Sequence, residues 1–181
     1  MKIYNVKIRT ITPYLQARFS ENAQASLKIR AGKKMKIDDD ESWREFLYED
    51  KEKGIYVPSA QLRECLVNSG KKIKLKPYGN MSNIVQSYFN IEPFKIFLGK
   101  KKPDYINTSY PSRKADGLRV AVHHPAFKEG MVINFKLRIS TDDVDDKTLR
   151  MILEKAGLEK GIGAWRTGGH GRFEVLEVKA A

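Results

Sequence analysis

The 181-residue sequence predicts an α+β domain whose elements follow the order β-α-β-β-α-β. Apolar and polar residues alternate near the start of the chain, at 118–122, at 131–139 and near the end, which is typical of half-buried strands. Stretches with helical spacing of apolar residues separate these strands. A sheet connected in this order carries its helices on one face, so we expect basic residues at alternate strand positions to line the other face.

The first strand covers residues 4–9, and the first helix begins at Ser59, a residue type that favours the N-cap position. Gly70 is placed to end this helix. The buried stripe of the helix consists of Leu62, Cys65 and Leu66. Residues 82–89 predict a second, short helix, and residues 91–98 are predicted to be extended.

The most regular strand pattern covers residues 131–139, in which every odd position is apolar. We expect this strand to form an antiparallel hairpin with residues 118–122, because the turn-forming residues Pro125 and Gly130 lie in the connection between them.

Acidic residues at 142–146 suit the positively polarised start of a helix. Gly157 is placed to end that helix, and residues 173–178 form the last strand. The whole chain, 1–181, is interpreted as one domain with insertions at about 13–54 and about 70–117.

The charge balance of the chain predicts an anionic partner. There are 34 lysines and arginines against 22 aspartates and glutamates, which gives a formal net charge of +12. Such an excess indicates a nucleic acid or an anionic membrane surface. Lysine-rich runs at 28–36, 71–76 and 100–102 lie near aromatic residues, a composition typical of proteins that bind single strands. A solvated lysine-rich surface is the alternative interpretation.

Several protein classes are excluded by composition. Cys65 is the only cysteine, so an internal disulfide and a cysteine-rich zinc site are excluded. The apolar runs are far shorter than the roughly 20 residues that a membrane helix needs. We therefore expect a cytoplasmic protein with no cofactor, no metal and no membrane partner.

The segment 161–171, called the glycine-rich segment below, is the strongest functional motif. Glycine permits close backbone approaches, and free N–H groups in such a loop can bind an anion. Arg166, His170 and Arg172 add side-chain donors, so we expect contacts to a nucleic-acid backbone. The segment does not match the Walker motif, because no Gly-Lys-Ser/Thr ends it and a strand follows. A tight helix-to-strand connection without a ligand is the alternative.

Three segments together resemble the RAMP superfamily of CRISPR-associated proteins, and in particular its guide-RNA-binding backbone subunits. In the glycine-rich segment and the residue after it, the matching positions are Gly161, Gly163, Arg166, Gly169, His170, Gly171 and Arg172, with His170 where an aromatic residue is usual. Residues 56–63, the helix-start segment, match the family at Pro58, Leu62 and Arg63. Residues 11–15, the Thr-Pro segment, are similar to the family's Thr-Pro-Leu-His.

This resemblance implies an RRM-like, ferredoxin-like domain that binds single-stranded guide RNA. It further implies a ribonucleoprotein filament with copies of itself or other CRISPR-type subunits, acting in antiviral defence. The candidate RNA-binding residues are Arg166, Gly168, Gly169, His170, Gly171 and Arg172, then Ser59, Gln61 and Arg63 at the helix start, and Lys71, Lys72, Lys74 and Lys76 in the second basic run. Candidates for a thumb-like, base-separating insertion are Met81, Tyr88, Phe89, Phe94, Phe97, Tyr105 and Tyr110.

Two other hypotheses remain open. A metal-independent endoribonuclease would use His123 and His124, with His170 as a helper, because imidazoles exchange protons near neutral pH. Against this, adjacent histidines at a strand end place one ring inward and one outward without any catalytic role. The other hypothesis is a viral or prophage protein that uses the same fold to bind single-stranded nucleic acid or a partner complex.

Overall fold

The computed structural model describes residues 1–19, 41–76, 79–110 and 121–181. In these ranges the strands are β1 (Lys2–Thr10), β2 (Tyr14–Leu15), β3 (Glu49–Asp50), β4 (Gly54–Pro58), β5 (Lys74–Leu75), β6 (Gly79–Asn80), β7 (Phe89–Glu92), β8 (Lys95–Phe97), β9 (Tyr105–Ser109), β10 (Val122–Phe127), β11 (Val132–Ile139) and β12 (Phe173–Ala180). The α-helices are α1 (Ser59–Gly70), α2 (Met81–Tyr88) and α3 (Asp146–Lys155). Short 3-10 and π turns occupy Glu41–Phe46, Ala156–Lys160 and Arg166–Gly168.

A four-stranded sheet in the order β12-β1-β11-β7 contains the longest strands, and each of its strand pairs is antiparallel. Val6 in β1 stands opposite Phe135 of β11 on one side and Val178 of β12 on the other. Helix α1 lies in the connection from β1 to β7, and α3 lies in the connection from β11 to β12. Each of these helices therefore joins two strands that have one other strand between them.

The two faces of this sheet differ in polarity. Tyr4, Val6 and Ile8 of β1 are buried, whereas the alternate residues Asn5, Lys7 and Arg9 are exposed. The buried residues belong to the same core as the apolar stripes of α1 and α3, which comprise Leu62, Cys65, Leu66, Leu149, Ile152 and Leu153. The helices therefore cover one face, and basic side chains line the other, as the alternation predicts.

Several predicted elements are confirmed closely. Helix α1 covers Ser59–Gly70, and α2 begins one residue before the predicted 82–89. The acidic start of α3 is also confirmed, because the Asp145 carboxylate accepts a hydrogen bond of 2.7 Å from the amide of Thr148. These elements have strong local signals, namely helical spacing and a capping residue.

The predicted hairpin between 118–122 and 131–139 is wrong. Strand β11 pairs with β1 and β7, whereas β10 pairs with β9 and β2 in a separate sheet. The turn at Gly130 is fastened to β1, because the amide of Gly130 donates to the carbonyl oxygen of Thr10 over 2.7 Å. Turn residues therefore identified a chain reversal but not the pairing partner. Residues 118–120, the basic run 28–36 and Tyr78 lie outside the described residues.

Two predicted helix ends also need correction. Ser59 is the first residue of α1 and not its cap, since Pro58 holds the cap position and Ser59 is buried. Gly157 does not end α3, because the chain continues through a π turn to Lys160. A Cβ at position 157 would lie 2.1 Å from the carbonyl oxygen of Phe173, so this glycine is required by packing against β12.

Candidate nucleic-acid interface

The glycine-rich segment is fixed onto the Thr-Pro segment. The hydroxyl of Thr12 accepts a hydrogen bond of 2.9 Å from the amide of Arg172 and donates one of 2.9 Å to the carbonyl of Gly169. Two more amides donate to the same stretch, each over 2.8 Å, from Ala164 to Leu15 and from Gly171 to Pro13. Residues 11–15 therefore form the base on which this loop rests.

Glycine is needed at Gly171 for two reasons. Its φ is +72°, in the left-handed region that other residues rarely adopt. A Cβ there would also lie 1.8 Å from the carbonyl oxygen of Ile162, a distance that no arrangement of these atoms tolerates. The close approach brings the two ends of the segment together, since the amide of Ile162 donates to the carbonyl of Gly171 over 2.9 Å.

The backbone amides of the segment are largely engaged within the chain. The amides of Gly168, Gly169 and Gly171 donate to the carbonyl oxygens of Trp165, Arg166 and Pro13. The prediction that free N–H groups form an anion site is therefore wrong for these three amides. Two of them donate within the turn, and the third donates to the Thr-Pro segment. The charged hydrogen-bond donors of this region are the side chains of Arg166 and Arg172.

The helix-start segment also reaches this region. The Tyr14 hydroxyl donates to the side-chain oxygen of Gln61 over 2.8 Å, and burial raises the pKa of Tyr14, so it remains a protonated donor. Arg166 donates from Nη2 to the Oε1 atom of Glu64, at the next turn of α1, over 3.1 Å. The three segments that carry the family resemblance are thus joined in space, although they are far apart in the sequence.

A pocket of about 440 Å³ opens where α1, the π turn and the glycine-rich segment meet, and we call it the basic pocket. Its cationic lining residues are Lys71, Lys160, Arg166 and Arg172. The other lining residues are Asn68, Thr167 and the single carboxylate Glu159. Four cations around one small cavity form an electrostatic site for an anion of phosphate size.

The guanidinium group of Arg172 is only partly engaged within the described part of the chain. Its Nη2 atom donates to the carbonyl oxygen of Arg166 over 3.3 Å. Its Nη1 atom is buried and has no hydrogen-bond partner among the described residues. An unsatisfied buried donor costs about 1–3 kcal/mol, and more when the group is charged.

Two of the remaining cations are held by residues of α1. Lys71 donates to the side-chain oxygen of Asn68 over 2.8 Å, and Arg166 is paired with Glu64. The Glu64 side chain is 58% exposed, so this ion pair is screened by water and exchanges readily with another anion.

Only some of the predicted binding residues meet in the basic pocket. Arg166, Arg172 and Lys71 line it, whereas Lys72, Lys74 and Lys76 lie exposed on the turn and strand that follow α1. The helix-start residues serve the fold: Ser59 is buried, Gln61 accepts from Tyr14, and Arg63 donates to the carbonyl of Gln86 in α2. Sequence reasoning missed Asn68, Lys160 and Thr167, although Lys160 directly precedes the glycine-rich segment.

His123 and His124 lie on β10, and His170 belongs to the glycine-rich segment itself. His123 is only 3% exposed and its Nδ1 atom is 2.9 Å from the Thr108 hydroxyl, whereas His124 lies beside Trp165 in a second pocket. The ring of His170 packs on Trp165 with 5.0 Å between ring centroids. Burial lowers the pKa of His124. His124 therefore lines the same pocket as Trp165, and His170 packs on that tryptophan.

Within the described ranges, no three His, Cys, Asp or Glu side chains are grouped closely enough to hold a metal ion. None of the helices that the structure describes is both long and apolar enough to cross a bilayer.

Comparison with known proteins identifies similar folds but no similar sequences. No protein-family model matches the chain, and no curated protein matches it significantly. Its fold is similar to a chain of type III-B Cmr-beta, solved by cryo-EM bound to cognate target RNA, with a TM-score of 0.56 and 15% identity. That match covers 99% of this chain and 60% of the other.

A chain of a type IV-B CRISPR complex is also similar, with a TM-score of 0.50, 8% identity and coverage of 98% and 90% of the two chains. The likeness to CRISPR-associated proteins, predicted from three short segments, is confirmed at the level of the fold.

Proposed function

We propose that this chain binds the sugar–phosphate backbone of single-stranded RNA and acts as a subunit of a CRISPR-type ribonucleoprotein of the RAMP superfamily. The observation that carries the proposal is the basic pocket, which gathers the side chains of Lys71, Lys160, Arg166 and Arg172 around one cavity of about 440 Å³. A guanidinium pairs with two phosphate oxygens at once, which suits Arg172 to this role.

The charges of the pocket favour a polyanion. Lys71, Lys160 and Arg172 have no carboxylate partner in the described part of the chain, and the carboxylate paired with Arg166 lies at the exposed surface. With a net charge of +12, the whole molecule attracts a polyanion before any local contact forms. Contacts of this kind position an RNA strand and carry no information about its sequence.

The fold supports the same proposal. The sheet order β12-β1-β11-β7, with α1 and α3 as crossing helices, is the order expected of a ferredoxin-like domain. We interpret the chain as one such domain with insertions at about 13–54 and about 70–117. The second of these cannot be one uninterrupted insertion, because β7 within it is a strand of the central sheet. The similar chains occur in Cmr-beta bound to target RNA and in a CRISPR complex, which supports RNA and CRISPR-type subunits as partners.

Fluorescence anisotropy tests this function. The unmodified protein is titrated into a labelled single-stranded RNA, the same sequence as DNA, and an RNA duplex. We expect saturable binding that prefers single-stranded RNA and weakens at least tenfold in Arg172→Gln, because a neutral amide cannot replace the charged contact. Circular dichroism checks that the variant folds. Absence of binding to all three nucleic acids at low salt would overturn the proposal and indicate a protein partner.

A second candidate function is metal-independent cleavage of RNA. The observation that favours it is that His124 lines a pocket with Trp165 while His170 packs on the same tryptophan, since acid–base cleavage needs two proton-exchanging groups near one phosphate. Cleavage of RNA in EDTA that disappears in His124→Ala would establish it. Intact RNA after prolonged incubation would leave binding as the function.

A further inference from the structure

A second pocket, called the aromatic pocket, is formed by residues from the end of β9, from β10 and from the glycine-rich segment. It has a volume of about 320 Å³ and is lined by Ser109, Tyr110, His124 and Trp165. This volume is at the lower end of the range for small-ligand sites, which is roughly 300–1,000 Å³. Two of its aromatic residues are strongly exposed, Tyr110 at 59% and Trp165 at 49%. Exposed aromatic rings that face one small cavity are suited to stacking on a planar ligand.

The backbone at Trp165 is held in an unfavourable conformation. Its φ is +47° and its ψ is +42°, so it lies in the left-handed region. For a residue other than glycine, this conformation costs roughly 1–2 kcal/mol of free energy. The indole is held by Gly168, where a Cβ would lie 2.7 Å from the ring, and by the ring of His170. A strained residue that still exposes half of its ring is a feature typical of ligand-binding sites.

The polar group of the aromatic pocket has a defined hydrogen-bonding state. The Nδ1 atom of His124 is 3.2 Å from the carbonyl oxygen of Gln16. A carbonyl only accepts, so Nδ1 carries the proton and Nε2 of the neutral ring is left as an acceptor. Burial favours this neutral form by lowering the pKa of His124. The pocket thus combines a stacking surface with an acceptor for the N–H groups found on every nucleobase.

The aromatic pocket adjoins the basic pocket along the chain, because Trp165 lines one and Arg166 lines the other. We propose that the aromatic pocket holds one unpaired nucleobase of the bound RNA, stacked on Trp165, while phosphates occupy the basic pocket. This inference rests on the proposed function and deepens it. Stacking tolerates any base, since each has a π-face, so the pocket would fix the path of the strand and not its sequence.

Tryptophan fluorescence provides a direct test. The chain has two tryptophans, so Trp43→Phe leaves Trp165 as the sole emitter. Titration of this variant with a single-stranded oligoadenylate is expected to quench the Trp165 emission. An abasic oligoribonucleotide, which has the same backbone without bases, is expected to leave the emission unchanged.

Affinity measurements provide the second readout. Trp165→Asn removes the indole but keeps a residue that tolerates the left-handed backbone. It is expected to weaken oligoadenylate binding about 5- to 150-fold, the range for loss of one stacked base. Tyr110→Ala should also weaken binding, and because Tyr110 is exposed, this variant decides the matter if Trp165→Asn does not fold. Met151→Ala is the control, since Met151 is 44% exposed and lies on α3, on a different surface.

The possible outcomes separate the two proposals. Unchanged emission together with unchanged affinity in Tyr110→Ala would overturn the nucleobase pocket, while RNA binding that depends on Arg172 would still support the proposed function. No binding of oligoadenylate by the unmodified protein would overturn both. Equal losses in Met151→Ala and Tyr110→Ala would also overturn the inference, because the effect would not be specific to the aromatic pocket.

Discussion

Replacement of Lys160 by Gln is expected to remove one phosphate contact and leave the fold unchanged. On a single strand, each cation that neutralises a phosphate contributes about 0.7 to the slope of log affinity against log salt. The four cations of the basic pocket therefore give a slope of about −2.8 when all are engaged. A fourfold rise in salt should then weaken binding about 50-fold in the unmodified protein and about 18-fold in Lys160→Gln.

The assay is fluorescence anisotropy of a labelled single-stranded RNA at a series of salt concentrations. Lys147→Gln is the matched control, because it lowers the net charge by the same amount but lies at the start of α3, on a different surface. We expect the slope of Lys147→Gln to equal that of the unmodified protein. Equal reductions in the two variants would refute the basic pocket as the site, since binding would then depend on total charge alone.

Three further predictions concern other parts of the site. Gly171→Ala should lower the free energy of unfolding, measured in urea, by more than the roughly 1–2 kcal/mol that alanine costs in the left-handed conformation. The loss is larger because the new Cβ would also meet the Ile162 carbonyl, and unchanged stability would contradict the loop geometry. Glu64→Gln should strengthen RNA binding about two- to fivefold in anisotropy by releasing Arg166, whereas weaker binding would show that this ion pair positions Arg166 for RNA. Burial raises the pKa of Cys65 to about 12, so this thiol should resist alkylation at about pH 9 in the folded protein, as measured by mass spectrometry. The stability that the protonated thiol contributes is complete below about pH 8.5 and is lost as the pH rises toward about 12.

Local signals in the sequence predicted the three helices and the three longest strands, β1, β11 and β12. Helix α1 was predicted to within a residue, because Leu62, Cys65 and Leu66 have helical spacing and Gly70 ends it. The pairing of β11 could not be predicted in the same way. Alternation identifies a strand and its faces, but the partner depends on contacts such as that between Gly130 and Thr10, which are distant in sequence.

The sequence predicted the two arginines of the basic pocket but not the residues that α1 and the π turn contribute to it. Arg166 and Arg172 were identified because they flank glycines in a basic chain, a pattern visible in one stretch of sequence. Asn68 and Lys160 were missed because α1 and the π turn bring them together only in the folded chain. Arg63 was assigned to RNA from the family resemblance, whereas the structure engages it with the Gln86 carbonyl. A basic residue predicted to lie at the surface can already have its hydrogen-bond donors engaged within the protein, and the sequence does not show this.

The glycines of the glycine-rich segment determine the shape of the loop, whereas the neighbouring arginines supply its charge. The two contributions can be measured separately. The glycines allow close approach to the Thr-Pro segment, and their engaged amides fix the backbone from which Arg166 and Arg172 extend. Because Arg172 directly follows Gly171, a Cβ at position 171 should displace its guanidinium as well as strain the loop. Stability and RNA affinity should therefore fall together in Gly171→Ala, whereas Lys160→Gln should lower affinity alone. A Gly171→Ala protein that is destabilised but binds RNA normally would show that the arginines reach the phosphate without the loop geometry.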